Sequence, residues 1–471
     1  MTKKKNKSIS KVNEPISPYA FYKKREERIE DVRLTHFEQT DIELTEEFRS
    51  ALDVMENTNE HLFITGNAGT GKSTLLRYFR NTTKKNVAVV APTGIAALNA
   101  GGKTIHSFFR FKTGLIDFSQ IKRSYRRELY QHLDTLVIDE VSMLRADLLD
   151  AMDKFLRLNA RNGTLPFGGV QIIFIGDLFQ LPPVVRDDEQ FLFSTQWDTQ
   201  YFFSAQCVKQ ISLRHFELTH FFRHQSDNVL LKILNKLRHG NIDEETFLHI
   251  NQRHQKPATE NFITLTATNA VADNRNAMKL KQLSTKEFLY EATIAGEFEL
   301  DKTRFPSPHE LRLKKGAQVM FTRNDNSEFR WVNGTLGKIS ELDEETIEVE
   351  IFENGETKKV EIKPVSWENM SYRFDEEEQK IVEEVRGRFT QYPLTLAWAT
   401  TIHKSQGKTL DNVLIDLGYG AFAHGQLYVA LSRCRTLNGI FLQRPIRPQD
   451  IIVDERIVNF FERVKNGKIE V

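Results

Sequence analysis

Eight residues, Gly66, Asn67, Ala68, Gly69, Thr70, Gly71, Lys72 and Ser73, followed by Thr74, stand between the apolar run HLFIT and the helical pattern KSTLLRYFR. Glycines at that spacing let successive backbone N–H groups curl around phosphate oxygens, and a helix start just behind them favours negative charge. Lys72 would reach terminal phosphates and Ser73 would offer a magnesium ligand. Downstream, TLVIDE ends a second apolar run with Asp139 and Glu140. One carboxylate there can hold the metal and its neighbour can polarise water. A third run, IFIGD, leads to Gln180 and then Pro182 and Pro183, which stiffen the turn and place a glutamine where it can sense a γ-phosphate. The chemistry implied is hydrolysis of a nucleoside triphosphate with Mg2+.

A phosphate site alone would also suit a kinase or a switch. Arg223 in THFFRHQ and Arg433 in QLYVALSRCR lie where strand patterns meet helices. Arginines delivered from a second domain stabilise a transferring phosphoryl group and make hydrolysis depend on closure of a cleft. Polar residues also recur at strand ends: Thr93 and Gly94 in APTGIAA, His106 and Ser107 with Phe108 and Phe109 in TIHSFF, Thr268 and Asn269 in TATNA, and Thr401, His403, Lys404 and Ser405 in TTIHKSQG. Donors and flat rings on the ligand edge of an α/β sheet suit a single-stranded nucleic acid. Phe108 and Phe109 fit an inward-packed core as well as a stacking platform, and His403 fits a buried hydrogen-bonded site. Lys122, Arg123, Arg126 and Arg127 read either as a solvated face or as a grip on a duplex.

The elements that must hold these groups follow from the apolar pattern. HLFITG, NVAVVAP, TLVIDE and VQIIFIGD alternate with helical stretches, the rhythm of a parallel sheet, and NFITLTAT, LTLAWAT, NVLIDL and GIFLQR repeat it. Between them AQVMFTRN, TLGKISEL, TIEVEIFE and KKVEIK alternate with period two, as in a small all-β insertion. At 471 residues several domains are expected. The net charge is +1, yet residues 341–385 hold sixteen acids against five bases, so a polyanion would bind elsewhere. No apolar run reaches membrane-spanning length. The lysine-rich start MTKKKNKSISKV lacks the apolar stretch of a signal peptide, and two distant cysteines, Cys207 and Cys434, suggest a reducing compartment, cytoplasmic and nucleoid-associated in a prokaryote or nuclear otherwise.

GNAGTGKS, APTGIAALNAGGKTIHSFF, VIDEVSMLRADLLDAMDKFLR, GDLFQLPPV, ATTIHKSQGKTL and YVALSRCR occur in the order and spacing of superfamily 1B helicases, and over residues 41–445 the chain resembles the Pif family. The resemblance implies an α/β fold of two RecA-like P-loop lobes, with a wedge insertion in the first and an SH3-like β-barrel in the second. It divides the chain into an N-terminal tail (1–40), a first lobe (41–212) with a wedge at 104–131, a second lobe (213–295 and 391–455), the β insertion (296–390) and a C-terminal tail (456–471). It implies roles for Lys72, Glu140, Gln180, Arg223 and Arg433 in catalysis, for Ser73 and Asp139 at the metal, and for Gly407 in the nucleotide site. It further implies an ATP-dependent DNA helicase moving 5′ to 3′ on single-stranded DNA, opening duplex or G-quadruplex junctions in genome maintenance, as a monomer that can assemble on DNA. The pattern LTEEF departs from the family, placing Phe48 where a glutamine reads adenine and leaving Gln39 as a substitute. An RNA-directed helicase and a non-translocating ATPase switch stay open as alternatives.

Overall fold

The computed structural model describes residues 44–464, apart from 113, 223–226, 258–260, 299–304, 326 and 354–355, together with residues 468–469. Two compact units divide it at Glu46 and Glu47, and everything that follows concerns the larger one. Its first sheet contains β1 (His61–Gly66), β2 (Val87–Ala91), β3 (Lys103–Thr104), β4 (Thr135–Ile138), β5 (Gln171–Ile175) and β6 (Leu213–Leu218). The order is β6-β1-β5-β4-β2-β3, all parallel, with Lys468–Ile469 added antiparallel at the β6 edge. Because helices cover both faces, the central strands β4 and β5 are buried at every position, which is why they read as unbroken apolar runs. The helix Ala146–Asn159 buries Leu148, Leu149, Met152, Phe155 and Leu156, one stripe at helical spacing.

A second parallel sheet has the order Ala399–Thr401, Ile263–Thr266, Val413–Asp416, Ile440–Leu442. Its core is continuous with that of the first sheet, running from Ile138 and Phe174 to Ile415 and Leu427. The β insertion forms a separate five-stranded antiparallel sheet around Val319, Phe321, Ile339, Val349 and Ile351. A long hairpin, Val365–Asp375 with Lys380–Gln391, reaches back to the first lobe. There Tyr372 Oη accepts from Val89 N at 3.2 Å, Phe374 stacks on His132 at 3.7 Å, and Glu383 pairs with Arg80.

Several expected boundaries move. Leu213–Leu218 pairs with β1 and belongs to the first lobe, not the second. The insertion starts earlier and ends later than 296–390, since Glu287–Glu291 pairs with Glu310–Lys314, Thr293–Gly296 pairs with the long hairpin, and Leu394–Leu396 joins the five-stranded sheet. The expected C-terminal tail opens with a packed helix. The helix Glu455–Val464 buries Ile457, Phe460 and Val464, and Phe460 stacks on Phe203 at 4.3 Å. The stretch 104–131 contributes Ile105, Phe108, Phe109, Leu129 and Tyr130 to the main core, so much of the expected wedge is interior. Among the described residues no helix is long and apolar enough to cross a membrane.

Candidate functional site

The glycine-rich loop leaves β1 and enters the helix Lys72–Thr82, which is anchored beneath by Leu75, Leu76 and Phe79. Gly71 caps that helix at φ 85°, a left-handed conformation, and a Cβ there would stand 2.8 Å from Phe48 and 3.0 Å from Phe222. Phe48 is thus buried behind the loop. Lys72 Nζ donates to Gly66 O at 2.7 Å and Asn67 O at 2.8 Å, curled over the loop. Burial lowers its pKa, while Asp177, Glu140 and Asp139 pull the other way. Ser73 is exposed at the helix start.

Glu140 has φ 52°, a left-handed backbone at a non-glycine residue immediately after β4. Burial first and Glu140 second push the Asp139 carboxyl above the usual carboxylate range. Glu140 is raised by burial too, against the pull of Lys72 and Arg433. Two adjacent half-buried carboxylates that resist ionising together are a donor set suited to a divalent cation. Gln180 is buried beyond the end of β5. Arg433 is buried as well, its Nε donating to Val429 O at 3.0 Å and Nη2 to Ser432 Oγ at 2.7 Å.

Three residues outside the sequence expectations complete this site. Gln406 Nε2 lies 3.2 Å from both Glu140 Oε2 and Gln180 Oε1. Tyr428, from the helix Gln426–Ser432, donates through its hydroxyl to Asp177 Oδ2 at 3.0 Å and accepts from Ala68 N at 3.3 Å. Arg238, closing the helix Asn228–Arg238, pairs with Asp177 at 3.2 Å. Burial raises the Asp177 pKa, but Arg238, Lys72 and Tyr428 outweigh it and hold the carboxylate ionised. At the head of the Tyr428 helix Gly425 has φ 68°, and a Cβ would stand 2.2 Å from Phe179 O, so only glycine lets this helix sit on the backbone before Gln180. The signal for Tyr428 was its place in QLYVALSR, five residues before Arg433, and that for Gln406 its place in TTIHKSQG; Arg238 carried no pattern of its own.

The expected nucleic-acid residues do not all gather in one place. A cavity of about 430 Å³ is lined by Thr93, Gly94, His106 and Lys404 together with Ile95, Arg145, Val184 and Arg186. Thr93 also caps its helix, accepting from Ala96 N at 3.2 Å. Ser107, Thr268 and Asn269 are exposed elsewhere on the surface. Phe108 does not offer a stacking face: it is 5% exposed, edge-on to Phe109, Tyr130 and Tyr372. Ser405 is fully buried and donates to Ile402 O at 2.7 Å, and buried Thr401 caps its helix by accepting from Lys404 N at 3.2 Å. These two shape the turn that presents Lys404. His403 is half-buried, with its pKa lowered by burial. Gly407 lies near Asn99, 3.9 Å from where its Cβ would be. Arg126 is engaged by Ser371 of the insertion at 3.1 Å. Gln39 and Arg223 lie outside the described residues.

Comparison with known proteins agrees with this fold. The description "PIF1-like helicase" matches residues 43–247, and "DNA helicase Pif1, 2B domain" matches residues 300–342. An ATP-dependent DNA helicase Pif1 of Bdellovibrio bacteriovorus is 34% identical over 436 residues, covering 90% of this chain and 92% of that one. The chain belongs to the PIF1-like helicase family. Among solved structures, a Bacteroides Pif1 in complex with ADP-AlF4 superposes with a TM-score of 0.83 at 36% identity, covering 90% of this chain and 98% of that one. Bacteroides Pif1 bound to ssDNA gives a TM-score of 0.67 at 36% identity, covering 91% of this chain and 99% of its own. The two RecA-like lobes and the inserted β domain of this PIF1-like chain are therefore those of its family.

Proposed function

We propose that this PIF1-like helicase moves 5′ to 3′ along single-stranded DNA and opens the duplex ahead of it. As a family member it is an ATP-dependent DNA helicase. The observation that carries the reading is one short segment, residues 401–408, touching both sites: Lys404 lines the cavity with Thr93, Gly94 and His106, while Gln406 touches Glu140 and Gln180. Magnesium held by Ser73 and Asp139 would neutralise the phosphates. Lys72 orients the terminal phosphate, Glu140 draws a proton from water, Gln180 marks the γ position, and Arg433, joined by Arg223, stabilises the transferring group. If each lobe grips the strand differently in the open and closed states, alternate closure yields net movement.

The same reading takes the protein as a monomer acting on duplex and G-quadruplex junctions within a reducing compartment, consistent with Cys207 and Cys434 both being free. The test is strand displacement with ATP and magnesium on identical duplexes carrying a 5′ or a 3′ single-stranded DNA tail, with matched RNA tails alongside. Unwinding of the 5′ DNA-tailed substrate alone is expected. Unwinding from the 3′ tail alone overturns the polarity, and a preference for RNA tails overturns the substrate.

A further inference from the structure

The glycine-rich loop ends against aromatic rings. Phe222 donates its backbone N–H to Gly69 O at 3.0 Å, so it is fastened to the loop itself, and a Cβ on Gly71 would stand 3.0 Å from its ring. Phe48, from the helix Glu46–Asn57, backs it with the ring centroids 5.9 Å apart. His220 meets Phe222 edge-on at 4.6 Å. Phe48 is 1% exposed and Phe222 39%, so of the two phenyl rings Phe222 is the one with an open face.

An exposed ring tied to a phosphate-binding loop is a stacking partner for the base of the nucleotide whose phosphates the loop holds. Stacking is indifferent to the identity of the base, because every base has a π-face. Telling one base from another requires groups that pair with the amino, carbonyl and ring-nitrogen positions on its edge, and a site without them rejects a base of similar shape poorly. Phe48 carries no such group. Its neighbour Glu47 has both carboxylate oxygens engaged, Oε2 accepting from Thr219 N at 2.9 Å and Oε1 from the Thr219 hydroxyl, so it is not turned to the amino edge of a guanine. His220 is exposed, and an imidazole can place its donor and its acceptor nitrogen either way round, which suits either purine.

We propose that this chain accepts purine and pyrimidine nucleoside triphosphates alike, Phe222 stacking on the base with Phe48 behind it and neither reading its edge. The bond broken is the same for all of them, between the γ phosphorus and its bridging oxygen; water supplies the new oxygen, a diphosphate leaves, and the base takes no part. The proposal rests on the nucleotide site described above, and the experiment separates the two. Displacement of fluorescent mant-ADP from the full chain by ADP, GDP, CDP and UDP is measured with magnesium, alongside oligo-dT-stimulated phosphate release from the four triphosphates. The four displacement constants, and the four kcat/KM values, are expected to lie within about tenfold of one another. Phe222→Ala is expected to weaken all four diphosphates together by at least about fivefold, and Phe222→Trp, which keeps a stacking face, to stay within about threefold of wild type. A preference of more than about tenfold for any one base overturns the proposal. Unchanged affinities in Phe222→Ala, or a loss confined to one base, overturn the stacking role. Failure of ADP itself to displace the probe, with no turnover of ATP, overturns the nucleotide site instead.

Discussion

Lys72 sits where one charge serves one reaction. Its ammonium is within 2.8 Å of two loop carbonyls and is counterbalanced by Asp177, Glu140 and Asp139. Lys72→Ala removes the charge proposed to meet a terminal phosphate, and loss of one such preorganised donor costs roughly a hundred- to a thousandfold in kcat. Lys72 is absent from the cavity shared by Thr93, His106 and Lys404, so affinity for single-stranded DNA should hold within about threefold. Turnover assays paired with fluorescence anisotropy check this, and normal turnover would remove Lys72 from the reaction. At this scale the sequence disclosed where the glycine-rich loop stands, between a strand and a helix, with Lys72 curled over it. Phe108 was ambiguous because adjacent aromatics in a five-residue helix have no period to sort them. Gln406 stood inside TTIHKSQG without a role, because a glutamine announces no chemistry until its neighbours are known.

Elements were legible where burial on both faces leaves an unbroken apolar run, as in β4 and β5. They were less so where an element is short or pairs across a boundary. Leu213–Leu218 opens toward residues expected in the second lobe, yet its partner is β1, a choice made by distant pairing. The helix Glu455–Val464 shows the same limit: Ile457, Phe460 and Val464 recur at helical spacing, but only the fold supplies the surface they cover. That surface includes Phe63, Phe202 and Phe203, each in ring contact with Phe460. Ending the chain after Asp454 would uncover it. Full burial of three apolar side chains contributes about 5–9 kcal/mol, comparable to the whole stability of many domains. The truncated protein is expected to bind a hydrophobic dye and to lose its cooperative melting transition. A sharp melt within about 3 °C of the full chain would show that the helix is dispensable to the first lobe.

For the whole molecule, charge placement matters more than the net +1. The acids of residues 341–385 lie on the β insertion and its hairpin, so the cations available to a strand are local. Of those around the cavity, Arg145 is already held by Asp147 at 2.9 Å and Glu189 at 2.8 Å. Lys404 and Arg186 stay exposed, and His106 adds a donor, while Ile95 and Val184 present exposed apolar surface suited to bases. As the proposed strand site, the cavity would hold a strand by few phosphate contacts, and two or three of them give a log–log slope of affinity against salt of about −2 on single strands. Affinity should thus fall on the order of tenfold between 50 and 200 mM salt. Lys404→Ala should flatten the slope by about 0.7, the share of one phosphate. An oligo-dT titration across that salt range checks both. A slope steeper than about −5 would mean that a longer cationic track, beyond the cavity, carries the strand.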